Sequence, residues 1–310
     1  MIRSSSINWK IYAAGSGEDM FSQEETAREV IDLGGKENPN VLYIGTATYD
    51  DEKSQHNQTK QFVKLGANVT PLKLVKNEYN KNQLDQMFQN ADIIIVSGGN
   101  TLFAIDKWKK YNVDKRIINA GKKGKVLAGG SAGGIVWFDG GHSDSMDPST
   151  YLNPPGPIIN PSLSKSELDE SWAYLRVPGL SILPGLFCPH YDKIEGNGVL
   201  RATNFTKILQ LHSGERGIGI DNWAAFVVDG NQYKIISRKG KNGSVSSDGQ
   251  YTSHTSNGKP GGFTLEIDSE GNLNRNLIPS EGYVSNVLRK AKYITQSNFL
   301  KVARIQNPLN

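Results

Sequence analysis

The chain has 310 residues, with 35 Lys plus Arg against 31 Asp plus Glu, a formal net charge of +4. Such a length carries one large α/β domain or two small ones, and so small a charge excess excludes a dedicated nucleic-acid binder unless the charge is clustered. No apolar run approaches the ~18 residues of a membrane span, residues 1–10 hold no apolar signal stretch, and the single Cys188 excludes an internal disulfide or a thiolate zinc site.

The short lysine runs at 107–110 and 122–125 read as solvated helix faces, so neither nucleic acid nor membrane is an expected partner. The expected location is cytoplasmic, and the N-x-S/T matches at Asn57, Asn68, Asn204 and Asn242 read as chance.

In chain order, apolar β-rich runs fall at 10–14, 41–45, 69–74, 93–96 and 125–128. Helix-like stretches at 23–33, 55–65, 81–88 and 102–110 separate them. This alternation predicts a parallel sheet with helices on both faces. Ligands in such folds sit at the carboxyl ends of strands, so the loops at 14–17, 45–48, 97–100 and 129–132 matter most. Beyond about 139 the pattern changes. Residues 153–162, rich in proline, cannot be regular helix or central strand. Strands are expected at 218–220 and 224–228, with a hairpin turn at 228–231 leading into 233–236. The Gly- and Ser-rich stretch 240–262 reads as a long hairpin or mobile flap, followed by a small appendage with a helix near 284–291. The expected division is an α/β domain at 1–238 and a β-rich C-terminal extension at 239–310 packed on it.

Gly129-Gly130-Ser131-Ala132-Gly133 matches G-x-S-x-G. A serine at a sharp strand-to-helix turn needs small neighbours so that its hydroxyl protrudes. The strand-like KVLA before it and the apolar GIVWF after it supply that context. Gly98-Gly99-Asn100-Thr101 follows the most apolar strand and opens a helix. With Ser131 one strand later, Gly99 N–H and Ala132 N–H become candidate oxyanion donors, and Gly98 and Asn100 candidate substrate contacts.

A serine nucleophile needs a base. Of the five histidines, His190 follows an expected strand and can reach the same rim. His142 falls beyond the helix after the serine, His56 and His254 lie in polar stretches, and His212 adjoins Ser213-Gly214. The carboxylate that orients the base stays open among Asp144, Asp192 and Asp221. Cys188, two residues from His190, reads as buried packing.

Four ordered motifs, VSGGNT, AGGSAGGIVWF, LPGLFCPHYD and GIGIDNWAAFVVDG, resemble peptidase family S51 over about residues 10–236. That family includes peptidase E, an aspartyl dipeptidase, and cyanophycinase. The resemblance implies a class I glutamine-amidotransferase-like α/β fold, Ser131 as nucleophile and His190 as base. It also implies an acidic residue a little past the nucleophile, for which Asp144 is the match and Asp147 or Asp221 the alternatives. No cofactor or metal is implied. The implied substrate is a small peptide with an N-terminal aspartate, and Arg201 is the candidate cation for its side chain. Competing readings are an α/β-hydrolase esterase, a cyanophycinase-like exopeptidase on an Asp–Arg polymer, and a non-enzymatic binding member of the fold. Assembly as a homodimer stays open.

Overall fold

Ile93–Val96 is buried on both faces and forms strand β4, the pattern of a strand covered by helices on either side. Its alternate side chains enter two different cores: Ile93 and Ile95 one, Ile94 and Val96 the other. The computed structural model describes residues 8–150, 172–253 and 258–294. Strands β1 (Lys10–Ala14), β2 (Asn40–Ile44), β3 (Asn68–Leu72) and β5 (Val126–Gly130) run parallel with β4. Antiparallel β10 (Ala224–Asp229), β11 (Gln232–Ser237) and β14 (Glu281–Tyr283) extend the sheet beyond β1. The order is β14-β11-β10-β1-β5-β4-β2-β3.

Helices α1 (Glu18–Phe21), α2 (Glu24–Gly34) and α3 (Glu52–Lys64) send Met20, Phe21, Val30 and Phe62 into the core around Tyr12 and Tyr43. Helices α4 (Lys81–Asn90), α5 (Thr101–Tyr111) and α6 (Val113–Lys122) send Leu84, Phe88, Trp108 and Ile117 into the other. Local signals fix several starts. Asp51 caps α3 through Ser54 N–H, and Asn80 with Gln83 forms a reciprocal capping box on α4.

A second sheet has no counterpart in the expected single-sheet architecture. The apolar run after Ser131 is helical only over α7 (Ala132–Ile135) and then becomes strand β6 (Phe138–Ser143). Two glycines at 140–141 end the helical option. With β6 come β7 (Leu175–Pro178), β8 (Leu183–Cys188) and β9 (Gly217–Ile220), then β12 (Gly262–Ile267) and β13 (Leu273–Leu277). Their order is β13-β12-β9-β8-β6-β7, with helix α8 (Arg201–Leu211) against β8 and β12. Residues beyond 239 thus add strands to both sheets. In the stretch at 240–262, of which 254–257 lie outside the described residues, Gly243 and Val245 form antiparallel bridges to Gly258 and Lys259, in keeping with the hairpin alternative, and Ser244 is buried. The helix expected near 284–291 spans only α9 (Val284–Val287). The proline-rich 153–162 and His254 lie outside the described residues. No helix among the described residues is long and apolar enough to cross a membrane.

Candidate active site

Strand β5 delivers Ser131 at φ +55° and ψ −121°, a conformation outside the allowed regions for a residue with a Cβ. Such strain costs about 1–3 kcal/mol and collects at functional sites. The backbone holds it in place: Ser131 N–H donates to the Ala14 carbonyl, and the Ser131 carbonyl accepts from Gly134 and Ile135. Gly130 is required here, since a Cβ on it would lie 1.9 Å from the Ser16 carbonyl oxygen.

The loop after β4 lies against the serine, where a Cβ on Gly98 would meet Ser131 Cβ at 3.3 Å. Gly99 adopts φ +109° and packs on the Ala47 carbonyl, a place no side chain could share. Among the described residues neither Gly99 N–H nor Ala132 N–H donates a hydrogen bond within the protein. Asn100, expected to touch substrate, is committed elsewhere. It is buried, its Oδ1 caps α5 at Phe103 N–H, and its Nδ2 donates to the Ser145 carbonyl and to Thr150.

His190 follows β8 in a tight turn at φ +47°, its N–H donating to the Gly15 carbonyl. Its Nδ1 lies 2.6 Å from Asn222 Oδ1. Asn222 Nδ2 donates to Asp19 Oδ2 at 2.8 Å, which fixes the amide orientation because a carboxylate only accepts. Nδ1 must then carry the imidazole proton, and Nε2 is left with its lone pair. Asn222 is itself held: its N–H donates to Asp192 Oδ1 and its carbonyl accepts from Ser16 Oγ. Burial, and next the Arg201 cation, push the His190 pKa below its ordinary value and favour the neutral base.

The expected partner, Asp144, does not meet His190. Its carboxylate is ion-paired with Arg201, which also pairs with Glu195 at 3.2 Å. A guanidinium that is 1% exposed requires such counter-charges, and Asp144 satisfies that need first. Arg201 is therefore not a free cation awaiting a substrate carboxylate. Its face also stacks 5.0 Å over the Tyr174 ring. Asp147 is half-buried and accepts from Ser149 N–H. Asp192 accepts from Asn222 N–H, and Asp221 accepts from Ser244 N–H, Ser244 Oγ and Gly261 N–H; neither holds the imidazole.

Of the remaining candidates, His142 lies on β6, fully buried against Tyr174 and Phe205, with burial forcing its pKa well down. His212 pairs with Glu215. Cys188 is fully buried and its thiol is pushed up by desolvation, so it is inert. Asn222 and Asp19 were not singled out from sequence. The one available signal for Asn222 was its place in Asp-Asn-Trp at the end of an expected strand. Among the described residues no three His, Cys, Asp or Glu side chains group as a metal site requires.

Peptidase family S51 matches residues 11–236. The chain is 28% identical over 275 residues to a Trypanosoma brucei brucei protein named G2/mitotic-specific cyclin-1, spanning 81% of this chain and 76% of that one. It is 28% identical over 185 residues to the uncharacterized peptidase YgaJ of Bacillus subtilis strain 168, spanning 59% and 69% respectively. A candidate peptidase E protein from Listeria monocytogenes EGD-e superposes with a TM-score of 0.51 at 17% identity, covering 74% of this chain and 98% of that one. A peptidase from an acI-B1 Actinobacterium gives 0.57 at 17% identity, covering 91% and 100%. At that identity the two structures speak for the fold alone.

Proposed function

This chain belongs to peptidase family S51, and from that premise we propose that it is a serine exopeptidase cleaving dipeptides or short peptides through an acyl-enzyme. The observation that carries this reading is the strained Ser131 elbow, flanked by two free amides and accompanied by a neutral histidine whose tautomer is fixed. Ser131 Oγ attacks the scissile carbonyl carbon while its proton passes to His190 Nε2. The carbonyl π electrons move to oxygen, where Gly99 and Ala132 N–H groups receive the charge. Collapse expels the amine, which takes the proton from His190. Water, deprotonated by the same nitrogen, then releases the acid and restores Ser131.

The orienting group is Asn222, backed by Asp19, in place of the acidic third member expected at Asp144. An amide fixes ring and tautomer, as in Cys-His-Asn proteases. It contributes less than a carboxylate to stabilising the imidazolium, and the charge of Asp19 behind it reduces that deficit.

An N-terminal aspartate is the first substrate class. Its side-chain carboxylate would have to take a place on Arg201 now held by Glu195 or Asp144. A second reading, an Asp–Arg polymer exopeptidase, is favoured by the same observation. Two carboxylates against one guanidinium leave an acidic surplus suited to an arginine side chain. The accompanying fold reading is class I glutamine-amidotransferase-like, with a hydrolytic domain at 1–238 and an extension at 239–310, supported by the strand order and the late strands. A cytoplasmic setting and small-peptide substrates complete the proposal.

The test is hydrolysis of Asp-Leu, Glu-Leu, isoAsp-Leu, Ala-Leu and an Asp–Arg polymer by wild type and Ser131→Ala. Cleavage of Asp-Leu alone, lost in the variant, supports the dipeptidase. Cleavage of the polymer alone supports the second reading. Turnover retained by Ser131→Ala would remove the nucleophile assignment.

A further inference from the structure

Resting on the Ser131–His190–Asn222 reading, we infer that the segment beyond the family match positions the base and its partner. It does so by gripping the residue that follows His190 and the residue that precedes Asn222.

The first grip is on Asp221. This fully buried carboxylate accepts from Ser244 N–H at 2.8 Å, Ser244 Oγ at 2.6 Å and Gly261 N–H at 3.0 Å. Asp221 N–H donates to the Gly261 carbonyl at 3.0 Å. All of these partners come from residues 244–261, outside the matched 11–236. A buried carboxylate is tolerated only where donors replace water, so the segment and Asp221 must move together. The Asp221 carbonyl lies so close to Gly15 that a Cβ there would approach it to 1.9 Å. Gly15 in turn accepts the His190 N–H.

The second grip is on Tyr191. Its ring is fully buried beside Phe263, and its hydroxyl accepts from Arg275 Nε at 2.9 Å. Arg275 is braced 3.7 Å over the Tyr251 ring and has no carboxylate partner among the described residues. Tyr191 N–H donates to the Ile220 carbonyl, one residue before Asp221. The two grips therefore close on one small patch of backbone, the one that carries the paired His190 and Asn222 side chains. Ser244, Arg275 and Tyr191 are positioning residues, since none is placed to touch the reacting atoms.

The experiment follows the rate at which a fluorophosphonate probe labels Ser131 in the full-length chain, which needs no knowledge of the substrate. Ser244→Ala, Tyr191→Phe and Asn222→Ala are compared singly, and the first two also in the Asn222→Ala background. Ser244→Ala and Tyr191→Phe are each expected to lower the limiting labelling rate about tenfold with half-saturating probe unchanged within about twofold. In the Asn222→Ala background neither should slow labelling further, because residues acting through one partner are not additive. Equal losses in both backgrounds, or no loss with either variant, would overturn the inference. If Ser244→Ala does not fold, Tyr191→Phe, which removes one oxygen, decides alone. Wild type that labels at Ser131 while Asn222→Ala labels equally fast would instead remove Asn222 from the function reading, and this inference with it. Wild type that does not label would remove both.

Discussion

His190 Nδ1 and Asn222 Oδ1 stand 2.6 Å apart, on turns that end two neighbouring strands of the second sheet. The pair fixes the ring and tautomer of a half-buried histidine, and its partner is an amide. Deleting that amide should show how much orientation alone contributes. Asn222→Ala is expected to lower kcat/KM by about 10²-fold with the fold intact. Asp19→Ala, acting only through Asn222, should lower it less, by roughly threefold to tenfold. Steady-state hydrolysis of the best dipeptide, with circular dichroism as a fold control, measures both. A larger loss for Asp19→Ala would reverse the order of the relay.

The pH profile follows from the direction of the His190 shift. Burial and Arg201 lower its pKa, so the neutral base survives further into acid than an ordinary histidine. Activity should fall on acidification only below the usual histidine value of about 6.5. A half-point for kcat/KM above that value would contradict the downward shift.

Stability should move the opposite way with pH near Asp221. Burial, and next the Asp192 charge, push its pKa from 3.8 up to about 8. The folded chain then retains a proton that the unfolded chain releases. The resulting stability is full below 3.8 and is lost as pH rises through about 8. Thermal melts should show Tm falling between about pH 4 and 8 and levelling above that, and Asp192→Asn should flatten the fall. A Tm that rises across that window would rule out a proton retained on Asp221.

Gly99→Ala tests the close approach of the oxyanion loop. The new Cβ would sit 2.3 Å from the Ala47 carbonyl at a φ of +109°. The expected cost is about 3 kcal/mol or more of stability, with activity lost beyond what unfolding explains. Urea denaturation and turnover on the same samples separate the two effects.

Arg201 can be assigned by comparing Glu195→Gln on two substrates. The substitution frees one edge of the guanidinium while leaving the Asp144 pair in place. If the cation receives a substrate carboxylate, KM for Asp-Leu falls severalfold and KM for Ala-Leu does not. An unchanged ratio makes Arg201 a structural ion-pair centre.

Much of the first sheet was legible because strands buried on both faces announce themselves as apolar runs, Ile93–Val96 above all. The elbow was legible because its steric needs select glycines on either side of Ser131. The second sheet was hidden by Phe138–Ser143, whose glycines and polar residues read as a loop until pairing with β8 satisfies its backbone. Asn222 was hidden for a different reason. An amide next to a histidine carries no signal of its own in sequence, and it becomes an orienting group only when Asp19, 203 residues away, fixes its orientation. Asp144 was misleading because its proper partner, the buried Arg201, lies 57 residues off and outcompetes a neutral imidazole.

Ser131 ends a strand of one sheet, and His190 and Asn222 end strands of the other. A ribosome releases these pieces in order, with Ser244 later still. A nascent chain holding only the five parallel strands of the first sheet would carry the proposed nucleophile with no base to activate it. On the proposed assignment the site is complete only once strands from both sheets have been made and have closed on each other.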